Sequence, residues 1–172
     1  ALTIFEQMLT STNNGIDAVL AANDGLASSV ISALKNANLK PIPLTGQDAT
    51  VAGIQNILAG WQSMTVYKAI KAEANAAAAL AIAIDKGTDT SKLATATVDQ
   101  TAGGTNATGN KAMPAVLLVP VSVTKANIAD TVIADGFDSW ADICVGDFAQ
   151  YCPASAMTAA TAAPTMAATA AK

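Results

Sequence analysis

Alternation is the feature that most constrains how this chain can fold. Three short apolar runs, at residues 16–22, 41–45 and 64–67, are separated by segments whose apolar residues recur every three or four positions. The first run, Ile16-Asp17-Ala18-Val19-Leu20-Ala21-Ala22, is nearly continuous, as expected of a parallel strand covered on both faces. Asn23 and Asp24 end it, and Asp24 is placed to cap a helix reaching about Ala37, in which Leu26, Val30, Ile31 and Leu34 share a face. The second run tolerates Pro43 only near a sheet edge or a strand start. Gly46 and Gln47 turn the chain into Asp48, and a helix over residues 51–59 stops at Gly60. The third run is followed by Lys68 and by an Ala-rich helix over residues 69–86, closed by Gly87. This order implies right-handed crossovers and a mostly parallel sheet, hence an α/β fold.

The flanks are less regular. Leu2, Phe5, Met8 and Leu9 mark a helix at the start. The chain opens inside that helix, so a further segment is expected upstream. Residues 88–111 lose periodicity to Thr, Gly, Asn, Asp and Ser and read as a surface excursion with room for a hairpin; they include the sequon Asn106-Ala107-Thr108. A strand over residues 115–123, interrupted by Pro120, resumes the pattern, and Thr124 is placed to cap a short helix through residues 127–133. Residues 154–172 are rich in Ala and Thr and read as a low-complexity tail. The expected division is one lobe over residues 1–153 and a tail over 154–172.

Composition removes several function classes. Apolar residues make up 52% of the 172 residues but aromatics only 4%, so the core must come from Ala, Val, Ile and Leu. A net charge of −4 argues against a nucleic-acid partner, which needs a cationic face. All nine basic residues are lysines, so the chain has no bidentate arginine clamp. It has no histidine either, which removes the usual general base and the commonest metal ligand. Neither an enzyme nor a cofactor or metal centre is expected. Cys144 and Cys152 are too few ligands for a metal site; they form either a local disulfide, favoured in an oxidising compartment, or a pair of buried thiols. No stretch reads as a membrane span or a signal peptide.

Asn23, Asp48 and Lys68 each follow an apolar run, and the carboxyl ends of strands are where α/β sheets bind ligands. As a set they suit a polyol. Asn donates and accepts, an ionised Asp accepts, and Lys donates up to three bonds. Each has a plainer reading: Asn23 ends its strand, Asp48 caps the helix after it, and Lys68 is a solvated residue at a helix start.

The segments Ile16 through Asp24, Gly46-Gln47-Asp48-Ala49, Ala59-Gly60 and Met64-Thr65-Val66-Tyr67-Lys68 resemble the D-xylose-binding branch of the type I periplasmic sugar-binding proteins of ABC transporters. The resemblance resumes at Leu117-Leu118-Val119-Pro120-Val121 and from Asn127 to Phe137, all within what would be the family's carboxyl-terminal lobe. It implies a Rossmann-like three-layer lobe, one of two that close on a sugar, with Asn23, Asp48 and Lys68 as this lobe's ligands. It also implies delivery of a monosaccharide, D-xylose or a similar aldose, to a membrane permease. The implied location is periplasmic or extracellular, with a lipid anchor upstream as one option. The opposite lobe, with its arginines and stacking aromatics, has no counterpart in these residues. Trp61, Ala69 and Ser28-Ser29 depart from the family pattern without touching the three ligands. A sugar-sensing module of a transcription regulator or chemoreceptor shares the implied fold. A flavodoxin-like enzyme does not fit, because Asn-Asp-Gly-Leu-Ala provides no phosphate-cradling loop.

Overall fold

The computed structural model describes residues 1–97 and 114–156; the sequon at Asn106 and most of the Ala/Thr tail lie outside the described residues. The chain divides into two compact units, Ala1–Tyr67 with Val121–Lys172, and Lys68–Pro120.

In the first unit, α1 (Leu2–Ser11) and α2 (Asp24–Asn36) pack on each other. Phe5 and Leu9 of α1 join Ala27, Val30, Ile31, Ala33 and Leu34 of α2, with Leu44, in one apolar cluster. The four-residue spacing of Phe5 and Leu9 is what turns both toward α2. Burying each large side chain contributes about 1.5–3 kcal/mol. The short helix α3 (Val51–Leu58) buries Ile54, Ile57 and Leu58. It ends before Gly60, whose φ of 79° is the left-handed stop expected there.

The strands differ from expectation. β1 (Thr65–Tyr67) pairs antiparallel with β4 (Val121–Val123), Thr65 opposite Val123. Parallel pairing occurs as two isolated bridges, Val19 with Leu44 and Gln47 with Val66. Val19 N–H donates to Pro43 O at 2.9 Å and Thr45 N–H to Val19 O at 3.1 Å. Val66 N–H donates to Gly46 O at 3.1 Å, and Asp48 N–H to Val66 O at 2.9 Å. The three apolar runs therefore lie side by side in chain order. Pro41 and Pro43 carry no N–H, so the second run cannot extend that ladder. Nor is the first run covered on both faces, since Leu20 is 89% exposed.

After β4, the N–H of Thr124 donates to Asn127 Oδ1 at 2.8 Å, and the helical turn that follows has no side-chain cap, so Thr124 does not cap it. A π-helical turn (Ala129–Ile133), helix α5 (Trp140–Ile143) and a 3₁₀ turn (Gly146–Tyr151) complete the unit. Cys144 and Cys152 are joined in a disulfide. Ala156, at the start of the expected tail, is fully buried.

The second unit contains α4 (Ile70–Asp85) and the antiparallel pair β2 (Ala96–Thr97) and β3 (Pro114–Ala115). β2 lies within the expected excursion and β3 just beyond it. No residue of α4 is buried, and Ile70, Ile82 and Ile84 are exposed. Ala76, Ala77 and Leu80 line an apolar groove of about 630 Å³ with Leu117 and Val119.

Candidate functional site

Asn23 and Asp48 stand at the ends of neighbouring runs. The N–H of Asp24 donates to Gln47 O at 2.9 Å, which ties the residue after Asn23 to the residue before Asp48. Asn23 is half-buried and Asp48 exposed. Asn23, not Asp24, caps α2: its Oδ1 accepts from Leu26 N–H at 2.9 Å. Asp24 is instead the first helical residue, which turns its side chain inward. Likewise Thr50, not Asp48, caps α3, accepting from Gly53 N–H at 3.1 Å. The structure thus brings Asn23 and Asp48 together on adjacent segments. Lys68 belongs to the second unit, where it is exposed and directly precedes Ala69, the N-cap of α4.

Asp48 sits in an unusual turn. Its φ is 92° and that of Ala49 is 49°, two consecutive non-glycine residues in the left-handed region. Each costs on the order of 1–3 kcal/mol and persists only where its surroundings hold it.

Behind this turn lies a group that sequence reasoning missed. Asp24 is 1% exposed, and its carboxylate accepts four hydrogen bonds. Thr50 donates its N–H (2.8 Å) and its hydroxyl (3.1 Å) to Oδ2. Gln62 Nε2 and the Thr65 hydroxyl donate to Oδ1, each at 2.8 Å. A buried carboxylate without such donors would cost several kcal/mol, on the order of the ion-desolvation penalty. The amide nitrogen of Gln62 also donates to Met64 O at 3.0 Å, while its Oε1 is buried with no partner among the described residues. Two glycines make room for this cluster. A Cβ on Gly46 would meet Asp24 Oδ1 at 2.2 Å, and one on Gly53 would meet Oδ2 at 2.1 Å. Gly53, a glycine inside a helix, was the one sequence signal of a close approach.

At the far end of β1, the Tyr67 hydroxyl donates to Asp135 Oδ2, and its ring lies 4.9 Å from that of Phe137. Burial, followed by the hydrogen bond to Asp135 and the negative charges of Asp135 and Asp138, pushes the Tyr67 pKa up to about 12. Asp138 Oδ2 is itself buried without a partner among the described residues; burial first, then the Asp142 charge, raises its pKa. Trp61 packs against the α1–α2 cluster, with Lys35 Nζ 4.8 Å from its ring centroid, so that departure from the family pattern serves packing.

The chain matches the model of the periplasmic binding protein domain over residues 1–89. It is 45% identical over 138 residues to the D-xylose-binding periplasmic protein of Escherichia coli (strain K12), covering 80% of this chain and 39% of the relative. It is 41% identical to the D-xylose-binding periplasmic protein of Haemophilus influenzae, with the same coverage. Among solved structures it resembles a carbohydrate transporter solute binding protein from Chloroflexus aurantiacus in complex with D-glucose. That likeness has a TM-score of 0.68 and 30% identity, over 82% of this chain and 40% of the other. The chain therefore spans about two fifths of the length of the curated relatives it matches.

Proposed function

The chain belongs to the periplasmic binding protein domain family, and from that premise we propose that it is part of the sugar-binding component of an ABC transporter. Its ligand is a monosaccharide, D-xylose or a similar aldose, which the complete protein carries to a membrane permease from a periplasmic or extracellular position. The observation that carries this reading is the side-by-side arrangement of the runs around Val19, Leu44 and Val66, with Asn23 and Asp48 at the ends of the first two. Polar groups at the ends of parallel runs are where such folds hold ligands. The similarity to two D-xylose-binding proteins supports the choice of sugar.

In this reading Asn23, Asp48 and Lys68 hydrogen-bond the sugar hydroxyls. Residues 1–153 form the carboxyl-terminal lobe in this reading, and the three adjacent runs are the centre of its mostly parallel sheet.

Thermal denaturation of the complete protein with a panel of D-xylose, D-glucose and D-ribose tests the function. A ligand at about 100 times its Kd stabilises by about 2.7 kcal/mol, which gives a clear rise in midpoint. D-xylose or a close aldose is expected to produce it. No rise with any monosaccharide would contradict the proposal.

A further inference from the structure

We infer that Asp24 is a positioning residue for the sugar site: its buried carboxylate holds the turn that presents Asp48. The inference rests on the reading of Asn23 and Asp48 as sugar ligands, and names a residue outside that set.

The turn is held by three consecutive backbone N–H groups. That of Asp48 donates to Val66 O at 2.9 Å, that of Ala49 to Thr65 Oγ1 at 3.1 Å, and that of Thr50 to Asp24 Oδ2 at 2.8 Å. Two of these three acceptors trace to Asp24. It takes the Thr50 N–H directly. It also orients the Thr65 hydroxyl, which gives its proton to Asp24 Oδ1 and so turns a lone pair toward Ala49 N–H. The left-handed Asp48 and Ala49 are thus fixed through one carboxylate. The same residue directly follows Asn23, the other proposed ligand of the first unit.

An asparagine fits its place poorly. All four groups facing the carboxylate donate as arranged, so an amide NH₂ is accommodated only if a Thr hydroxyl or the Gln62 amide turns round, and the Thr50 N–H can only donate. Thr65→Val is the second probe, since it keeps the shape and removes the relay hydroxyl, while Thr65→Ser keeps the hydroxyl.

The test is calorimetric titration of D-xylose into the complete protein carrying this chain, well below each variant's thermal midpoint. Leu34→Ala, in the α1–α2 cluster, controls for lost stability alone. Asp24→Asn and Thr65→Val are expected to weaken binding about tenfold or more, while Thr65→Ser and Leu34→Ala stay near the wild-type value. Faster hydrogen exchange at Ala49 and Thr50 is expected in Thr65→Val and not in Leu34→Ala. If Asp48→Ala loses affinity but Asp24→Asn and Thr65→Val bind as the wild type does, the positioning role is overturned alone. If Asp48→Ala binds as the wild type does, the ligand reading is overturned and this inference with it.

Discussion

Gly53 and Asp24 share a space that only one side chain can occupy: a Cβ on Gly53 would lie 2.1 Å from Asp24 Oδ2. The glycine stands inside α3, where it sacrifices about 1 kcal/mol of helix propensity relative to alanine. We predict that Gly53→Ala destabilises the protein by a net 1–3 kcal/mol, roughly the cost of overpacking and broken hydrogen bonds less the propensity gain. Gly60→Ala is the comparison. It meets no atom within 4 Å and should cost only the strain of its left-handed φ, about 1 kcal/mol. Urea denaturation of both variants checks this, and a stabilised Gly53→Ala would refute it.

The contrast between those two glycines also marks what sequence could reveal. Gly60 announces itself by position, just past an apolar helical stretch, and α3 ends where it predicts. Helices α1, α2 and α4 were legible for the same local reasons. That Asn23 and Asp48 each stand just past an apolar run was legible. The Asp24 cluster was not, because Gln62 and Thr65 meet Asp24 across 38 and 41 residues, and nothing local marks such partners. A plausible local role, capping, concealed it: Asp24 looks like an N-cap, and Asn23 beside it performs that task. The strands were overdrawn because apolar runs report burial rather than pairing, and prolines 41 and 43 limit the ladder to isolated bridges.

The disulfide stabilises the end of the first unit. It closes a separation of eight residues directly after Ile143, which is fully buried and whose carbonyl accepts from Gln55 Nε2 of α3 at 2.9 Å. Loop-closure entropy puts its contribution at about 2–3 kcal/mol. The double variant Cys144→Ser with Cys152→Ser should lose that amount in chemical denaturation, and wild type under reducing conditions should match it.

Tyr67 gives the protein an alkaline limit. Its folded-state pKa of about 12 lies above the ordinary 10.0, so its contribution is complete below pH 10 and is lost as pH rises from 10 to about 12. Tyr67→Phe removes the hydrogen bond to Asp135 and should cost about 0.5–1.5 kcal/mol near neutrality. Stability measured between pH 8 and 12 should fall less steeply in the variant than in the wild type; equal slopes would contradict the account.

Asp138 acts in the opposite sense at neutral pH. Its pKa is raised, so the stability it contributes is complete below the ordinary value of 3.8 and is lost as pH climbs through the folded-state value. Above that, its ionised form sits with Oδ2 buried and Asp142 nearby. Asp138→Asn should therefore raise the thermal midpoint at pH 7, with the gain shrinking as pH falls toward 3. A gain independent of pH would show that the charge is not its source.

Asp48, held just past the second run, is proposed to bind the sugar. Calorimetric titration of D-xylose into the complete protein, wild type and Asp48→Ala, tests it most directly. Saturable binding by the wild type is expected. In the variant a loss of about 1–3 kcal/mol, roughly 5- to 150-fold in Kd, is expected. Absence of saturable binding by the wild type, or equal affinity in the two proteins, would contradict it.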